Sequence, residues 1–586
     1  MAMRLSLAGR LILKGSIRRI DYPFLRARSI TTSEPTEAPR SGFLSLRRLT
    51  AVGLVSASIL GASIFAYDAR VGKAAAAGSP ARIRTQSNSD VSLQRSPTPL
   101  SELVRTYVVF AFCSVPQLVD WSPTVLAALS AVPGLRQVTE AVVRATFFKH
   151  FVGGDTAEDA LPLIEALRAQ NTGCLFAYSV EVDEAEASGH SKEKQHGAQK
   201  VAAHKQVVQE TLHCIDVAAD FEDRHTKGAM GRRTWVAIKL SAMVPDAEIL
   251  RRFSKYLVHN RPPVNPPVAF PGCPLPTDLD VLSRPTKAAE QLTDTDIRAL
   301  RELREDLVSL CTRAKERGVR LIFDAEYSWY EPAIDAFTLE MMRRFNELPP
   351  PPRRPWFGVA RTTEQETKMV QPLVYATYQA YLRRTPEYLA QSMRAARKEG
   401  YSLGVKLVRG AYHPHELIAH PATTATADAS LASPTTSTSL SISPDPVPPV
   451  WTTKEDTDAR YNACVRTLIS AVRQDVESRK GGPPSIGVLF GTHNRESAGL
   501  IVEELVKQGL ATVEDGGVVS VGDEAAERVT MGQLYGMSAA LTSHLVGRIR
   551  SSSPFVIKYI PYGQLSEVSV SAAFARTPIY PSTCRL

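Results

Sequence analysis

Lys239 in Ile-Lys-Leu-Ser-Ala, Asp324 and Glu326 in Ile-Phe-Asp-Ala-Glu, Gln379 in Tyr-Gln-Ala-Tyr, Lys406 and Arg409 in Val-Lys-Leu-Val-Arg-Gly-Ala-Tyr, His493 and Asn494 in Gly-Thr-His-Asn, and Tyr559 in Lys-Tyr-Ile-Pro-Tyr-Gly all stand where a short apolar run closes. These residue types move protons, hold anions or place a cation beside a reacting group. A charge inside an apolar run costs several kcal/mol unless it is paired. Lys239, Asp324 and Lys406 must therefore find each other, a ligand or an open cavity. A structural ion pair explains any one of them as well as chemistry does, but six run ends bearing such groups together point to one shared site.

Gly491, Thr492, His493 and Asn494 precede a helix containing Ile501, Val502 and Leu505, and Asn494 suits its N-cap. A helix start led by small and donor residues seats a phosphate, whose charge meets free N–H groups and the positive dipole end. A capped helix with a surface histidine is the equal alternative. Lysines at strand ends also act as amine nucleophiles, so a Schiff-base lyase on Lys239 or Lys406 stands beside the anion-binding reading. The seven cysteines, at 113, 174, 214, 273, 311, 464 and 584, are scattered without a CxxC pair. That excludes a disulfide scaffold and a cysteine zinc site, fits a reducing compartment, and leaves no metal site to assign.

Positioning these groups falls to eight apolar runs: Leu175 to Val182, Trp235 to Ser241, Val319 to Ala325, Trp356 to Val359 or Leu373 to Thr377, Leu403 to Val408, Ile486 to Gly491, Val529 to Leu534 and Phe555 to Ile560. Amphipathic segments separate them. Ile297, Leu300, Leu303, Leu307, Leu310 and Ala314 share one helical face with Gly318 as C-terminal cap, and Thr385 with Pro386 opens a helix that stops at Gly400. The alternation predicts an α/β fold, a distorted (βα)8 TIM-like barrel with an N-terminal helical arm and disordered insertions. A doubly wound sheet ranks second because no GxGxxG follows any strand. In such a barrel chemistry sits where strands end. Charged Glu184 to Lys205, Pro-rich Arg261 to Pro285 and the Pro349 to Arg354 turn interrupt the pattern, and Thr423 to Pro449, rich in Ser, Thr, Ala and Pro, predicts disorder.

The chain has 586 residues, enough for one large or several ordinary domains, with 69 Lys and Arg against 60 Asp and Glu. Residues 1–48 hold ten basic and three acidic residues, so nearly all of the +9 excess lies there. The near-neutral remainder offers no basic face for nucleic acid. The start interleaves Arg4, Arg10, Lys14, Arg18 and Arg19 with apolar residues, in the manner of a mitochondrial presequence; a disordered basic tail is the alternative. Leu49 to Tyr67 is an uncharged run of 19 residues. At about 1.5 Å per residue it just crosses a hydrocarbon core of about 30 Å, although its alanines and serines also suit a buried or cleaved segment. Residues 68–100 read as a linker, 101–150 as the helical arm, 151–567 as the barrel with its insertion at 423–449, and 568–586 as an atypical tail.

Phe-Asp-Ala-Glu at 323–326, Tyr-Gln-Ala-Tyr at 378–381, Val-Lys-Leu-Val-Arg-Gly-Ala-Tyr at 405–412, Gly-Thr-His-Asn at 491–494, Gln-Leu-Tyr-Gly-Met at 533–537 and Lys-Tyr-Ile-Pro-Tyr-Gly at 558–563 together resemble the proline dehydrogenase family in its mitochondrial eukaryotic form, over about residues 140–567. The resemblance implies a barrel holding non-covalent FAD that oxidises L-proline to 1-pyrroline-5-carboxylate. It further implies electrons passing to quinone or the respiratory chain on the matrix side of the inner mitochondrial membrane. Carried over by position, Lys406 falls near flavin N5 and Gln379 against the isoalloxazine. Val408, Arg409 and Gly410 run along the flavin, and Thr492, His493 and Asn494 hold its phosphates and adenosine. Lys239 faces the substrate carboxylate, Asp324 lines the substrate pocket and Tyr559 walls the proline ring. Proline versus hydroxyproline and the oligomeric state stay open.

One stretch departs from the family pattern. Where the family closes with a helix bearing an Arg-Arg pair for the carboxylate, this chain has Phe574 and Ala575, with Arg576 nearby and Pro578 and Pro581 ending any helix early. That departure implies a wrong or alternative ending, or a weakened flavin-binding or partner-binding barrel.

Overall fold

The computed structural model describes residues 99–179, 197–283, 291–349, 370–420, 440–479 and 481–564. The presequence, the 49–67 run, nearly all of the linker, most of the charged and low-complexity insertions, the polyproline turn beyond Pro349 and the 568–586 tail lie outside the described residues.

Short, nearly continuous apolar runs build the body. Strands β1 (Thr172–Tyr178), β2 (Thr234–Ile238), β3 (Leu321–Phe323), β4 (Val374–Gln379), β5 (Leu403–Val408), β6 (Ile486–Gly491), β9 (Val529–Leu534) and β11 (Val556–Tyr562) are almost wholly buried on both faces. This is the pattern of parallel strands covered by helices. They close a barrel in the order β1-β11-β9-β6-β5-β4-β3-β2, every pair parallel. The expected barrel is thus present, and of the two runs considered for its fourth strand the second forms it. Two details differ from expectation. The first strand starts earlier than Leu175, because Thr172 and Gly173 pair with Val556 and Ile557. Thr385 is the first helical residue rather than the cap, and its hydroxyl donates to the Gln379 carbonyl at 2.5 Å.

Alternate residues face the barrel axis and stack in layers. At the floor Arg233 and Arg320 converge on Glu527, with N–O separations of 3.4 and 3.2 Å, and Arg320 covers the Trp235 ring. Above them Leu175, Ala177, Trp235, Ala237, Ile322, Tyr375, Leu489 and Ile557 form a closed apolar cluster that also touches Tyr559. Room for Tyr375 comes from Gly487, where a Cβ would lie 2.4 Å from the Tyr375 hydroxyl. The plug directs solvent and ligands to the other mouth. Burial alone would raise the Glu527 carboxyl, but Arg233 and Arg320 hold it below the usual carboxylate range. Glu527→Gln leaves two buried guanidiniums without their counter-charge and is expected to cost about 3–5 kcal/mol. A thermal melt should show a drop of several degrees.

Helices coat the outside. The chain before the barrel opens with α1 (Leu100–Cys113), α2 (Pro116–Ser130) and α3 (Leu135–Val143). The helix expected from Ile297 to Ala314 spans Asp294–Arg317, buries that whole face and ends at Gly318 with φ 66°. A three-stranded sheet of β7 (Ala511–Val513), β8 (Val519–Val521) and β10 (Ile549–Arg550) was not anticipated, being too short to leave a periodicity. The disorder expected throughout 423–449 does not hold for its last ten residues. There the Phe270 amide donates to Asp445, and Arg383 donates from its side chain to the Pro448 carbonyl and from its amide to the Pro449 carbonyl.

Candidate active site

The period-two stacking that fills the barrel also lifts polar groups to its open mouth. Along β2 the axis-facing series Arg233, Trp235, Ala237 continues to Lys239; along β3 the series Arg320, Ile322 continues to Asp324. The Lys406 ammonium lies 2.5 Å from Asp324 Oδ1 and 5.2 Å from the centre of the Tyr559 ring. The Tyr559 hydroxyl donates to Asp324 Oδ2 at 2.9 Å. One carboxylate thus takes a cation on one oxygen and a phenol on the other. Burial, together with the Asp324 charge, keeps the Tyr559 phenol protonated far above its ordinary range. Burial would lower the Lys239 ammonium, yet Tyr412, Tyr559, Asp324 and Glu326 raise it, so it remains a cation.

A second ring of contacts fixes these groups. Glu326 accepts from the Ser241 amide at 3.1 Å and from the Ser241 hydroxyl, tying the loop after β3 to the turn after β2. Burial raises its carboxyl despite those bonds. Gln379, 2% exposed, donates through Nε2 to the Glu326 carbonyl at 3.2 Å and to the Tyr381 hydroxyl at 3.3 Å. Its Oε1 is buried without a hydrogen-bond partner in the protein. An orphaned acceptor of this kind costs about 1–3 kcal/mol, which a ligand N–H at that place would remove. Gly410 follows β5 with φ 122°, and a Cβ there would strike the Tyr381 ring at 2.5 Å, so the chain turns closely past β4.

Neighbouring β6 supplies the rest. Asn494 caps α11 (Arg495–Lys507), its side chain accepting from the Ser497 amide at 2.9 Å, and Thr492 Oγ1 accepts from the Asn494 amide at 3.0 Å. Arg409 is fully engaged in holding this corner: it reaches Asp458 at 2.6 Å, Thr492 at 2.9 Å and Ser497 at 2.8 Å, and covers the Tyr461 ring. Gly491 makes room for Val408, whose Cγ1 would be 2.9 Å from an added Cβ. His493 Nε2 accepts from the Leu534 amide at 3.2 Å, which leaves the proton on Nδ1. Surrounding protein, then Lys558 and Arg409, push this imidazole down to about 4, so it is neutral.

The candidates therefore fall into two joined groups. Lys239, Asp324, Lys406 and Tyr559 gather over the barrel core, and Thr492, His493, Asn494 and Arg409 gather at the start of α11, with Gln379, Val408 and Gly410 on the strand ends between. Among the described residues no cluster of three or more His, Cys, Asp or Glu is arranged for a metal ion.

Three polar groups of this mouth escaped the sequence reading. Lys558 is 5% exposed and donates to the Met537 carbonyl at 3.0 Å; burial pushes it down to about 7. It stands beside Tyr559 in the same motif, but its parity points it away from the axis, and only the motif could have flagged it. Gln533 meets Lys558 and Thr542. Glu416, on the short helix His413–Ala419, accepts from the Ser328 amide and hydroxyl, both at 2.6 Å, and no sequence pattern marks it. Burial raises its carboxyl to about 7 against those bonds. A raised value means the fold prefers the neutral acid. Its contribution is complete below about pH 4.5 and is lost as pH rises through about 7, a change of up to about 3 kcal/mol. As pH rises from about 4.5 to 7, the melting temperature of the native chain should fall relative to that of Glu416→Gln, which lacks this titration.

A sequence model of the family described as "Proline dehydrogenase" matches residues 162–427 and 443–570. "Proline dehydrogenase 2, mitochondrial" of Arabidopsis thaliana is 26% identical over 81% of this chain and 82% of its own length. "Hydroxyproline dehydrogenase" of Xenopus laevis is 23% identical over 80% of each chain. Proline utilization A from Bdellovibrio bacteriovorus, solved after inactivation by N-propargylglycine, aligns with a TM-score of 0.47 and 16% identity, over 81% of this chain but only 37% of its own.

Proposed function

Because the chain belongs to the proline dehydrogenase family, we propose that its barrel oxidises L-proline to 1-pyrroline-5-carboxylate at the Lys239, Asp324, Lys406 and Tyr559 cluster, with non-covalently bound FAD. The observation that carries the proposal is the sharing of Asp324 between Lys406 and Tyr559 at the ends of axis-facing strand positions. FAD supplies a two-electron acceptor that takes hydride from carbon.

The residues present suit that cofactor. The orphaned Gln379 Oε1 matches an N–H of a flavin ring. Thr492, His493 and Asn494, at the capped start of α11, suit its phosphates and adenosine, with the neutral His493 free to donate from Nδ1. Val408 and Gly410 edge the ring's path along β5, and Arg409 acts through Thr492 and Ser497 by holding the helix start in place.

Lys239, kept cationic in a buried setting, pairs with the substrate carboxylate. Tyr559 presents its ring to the pyrrolidine while its hydroxyl stays with Asp324. Loss of hydride from the carbon next to nitrogen leaves positive charge on the C=N product, and the Asp324 carboxylate is the nearby group of opposite sign. Lys406 balances Asp324 and places a cation where negative charge arrives. Catalysis is thus assigned to preorganised charge rather than to covalent attack by lysine.

His493→Ala removes a donor from the phosphate and adenosine end alone. FAD retention should weaken about tenfold, as for one lost hydrogen bond, while fully loaded enzyme keeps its reduction rate. Equilibrium dialysis against FAD, followed by rapid-mixing kinetics, reads the two separately.

The relatives named mitochondrial support the same compartment for this chain. In this reading residues 1–48 are the targeting segment, Leu49 to Tyr67 tethers the matrix-side enzyme to the inner membrane, 68–100 is the linker, 101–150 the arm and 151–567 the catalytic barrel, passing electrons to quinone. The test of the function is direct. Denaturing the purified protein should release FAD, and adding L-proline with a dye acceptor should generate the cyclic imine; parallel assays with hydroxyproline rank the two substrates. A colourless protein that traps a carbonyl substrate with borohydride would support the lyase reading instead.

A further inference from the structure

Ten of the fourteen strongly exposed large apolar side chains among the described residues fall between Leu100 and Val138, so the exposure is concentrated on the arm rather than scattered. Leu100, Leu103 and Tyr107 recur at i, i+3, i+7 on α1, and Leu118, Trp121 and Val125 repeat that spacing on α2, so each helix presents one apolar face. Tyr107 is 76% and Trp121 65% exposed. The opposite side of the arm is used internally. Val109 and Cys113 pack with Phe148, Phe151 and Val152, and Met537 joins that cluster. Gly536 allows the approach, since a Cβ there would lie 2.3 Å from the His150 carbonyl. The loop of Gly536 and Met537 also carries the carbonyl that Lys558 holds and follows the Leu534 amide that His493 holds. The arm is therefore seated on the rim of the open barrel mouth.

We propose that the exposed face of α1 and α2 lies on a lipid bilayer and brings the barrel mouth against the membrane surface. Three observations favour lipid over another occupant. From Thr106 to Leu135 the sequence has a single charged residue, Asp120, whereas the face of a soluble partner is rimmed by charge. The exposed aromatics are a tryptophan and a tyrosine, the two side chains that favour the membrane–water boundary. The first arm helix starts at Leu100, 33 positions after the uncharged run that ends at Tyr67. A membrane-held run would thus deliver the arm to the same surface. With 14 and 15 residues, α1 and α2 are shorter than the about 20 needed to cross a bilayer, so in this proposal the arm lies along it. A face of this kind gives an apolar electron acceptor a route to the mouth without crossing water.

The proposal is independent of the tether assigned to Leu49 to Tyr67, because the intervening residues 68–99 are enough chain to leave the arm in water. The full chain in phosphatidylcholine vesicles with brominated acyl chains separates the two. Its tryptophan fluorescence should be quenched, and Trp121→Phe should lose most of that quenching. Equal quenching in both proteins overturns the proposal. So does shielding of Trp121 from iodide before vesicles are added, which would mean that a second copy or another segment of the chain covers the face. Leu103→Glu with Leu118→Glu should lift Trp121 away from the bromine while proline turnover with a soluble dye stays unchanged. Persistent quenching in that variant also overturns the proposal. Loss of dye turnover in the native chain would instead count against the proline reading.

Discussion

Lys406→Met is expected to slow proline-driven reduction of the bound flavin about 10²- to 10³-fold, the size of effect when one preorganised charge is taken from a site where charge develops. The substitution keeps the length of the side chain and removes its cation from Asp324, 2.5 Å away. Asp324 then keeps the Tyr559 hydroxyl and the nearby Lys239 charge but loses its paired ammonium, so both the charge it offers the substrate and the place of the Tyr559 ring are disturbed. Because these groups act as a unit, Asp324→Asn added to Lys406→Met should cost far less than the sum of the two alone. Anaerobic rapid mixing, following the flavin absorbance, reads the rate. A Lys406→Met protein that reduced at the native rate would remove Lys406 from the reacting end.

The second large effect concerns substrate binding. Where relatives are expected to close with an arginine pair, this chain has Phe574 and Ala575, followed by Pro578. In the proposed site Lys239 would then meet the substrate carboxylate without that clamp. Each missing charge-assisted pair is worth about 1.5–3 kcal/mol, or roughly tenfold to a hundredfold in affinity. Replacing the residues after Glu567 with a continuous helix bearing the pair should lower the proline concentration for half-maximal reduction by at least that factor. Installing Arg at 574 and 575 alone should recover little, since Pro578 breaks the helix that would aim them. Tight proline binding by the unaltered chain would show that another group holds the carboxylate.

How much of this was legible follows from the kind of signal each part leaves. Leu403–Val408, Ile486–Gly491 and Val529–Leu534 match the expected runs end to end, because each is a short apolar stretch bounded by polar or glycine residues. Asp324, Lys406 and Tyr559 were visible because a charge or phenol interrupting an apolar run is conspicuous. That they share one site followed from six run ends bearing such groups together, but which of them touch did not, since their sequence separations exceed 80 residues and only closure of the barrel joins them. Glu416 and Lys558 left weaker traces. One is buried by a contact between a short helix and the loop after β3, and the other points away from the axis. Residues 440–449 misled in the opposite sense. Their Ser and Pro content suggests disorder, yet bonds from the Arg383 amide to the Pro449 carbonyl and from its side chain to the Pro448 carbonyl order them without any core-forming periodicity.

The central claim, that this barrel oxidises proline through a flavin held between Gln379 and the start of α11, is tested most directly by mixing the purified protein with L-proline in the absence of oxygen. The flavin absorbance should bleach, with one cyclic imine formed per flavin reduced, and should return when an electron acceptor is added. A bound flavin that stays oxidised at every proline concentration, even with the arginine-bearing helix restored, would contradict it.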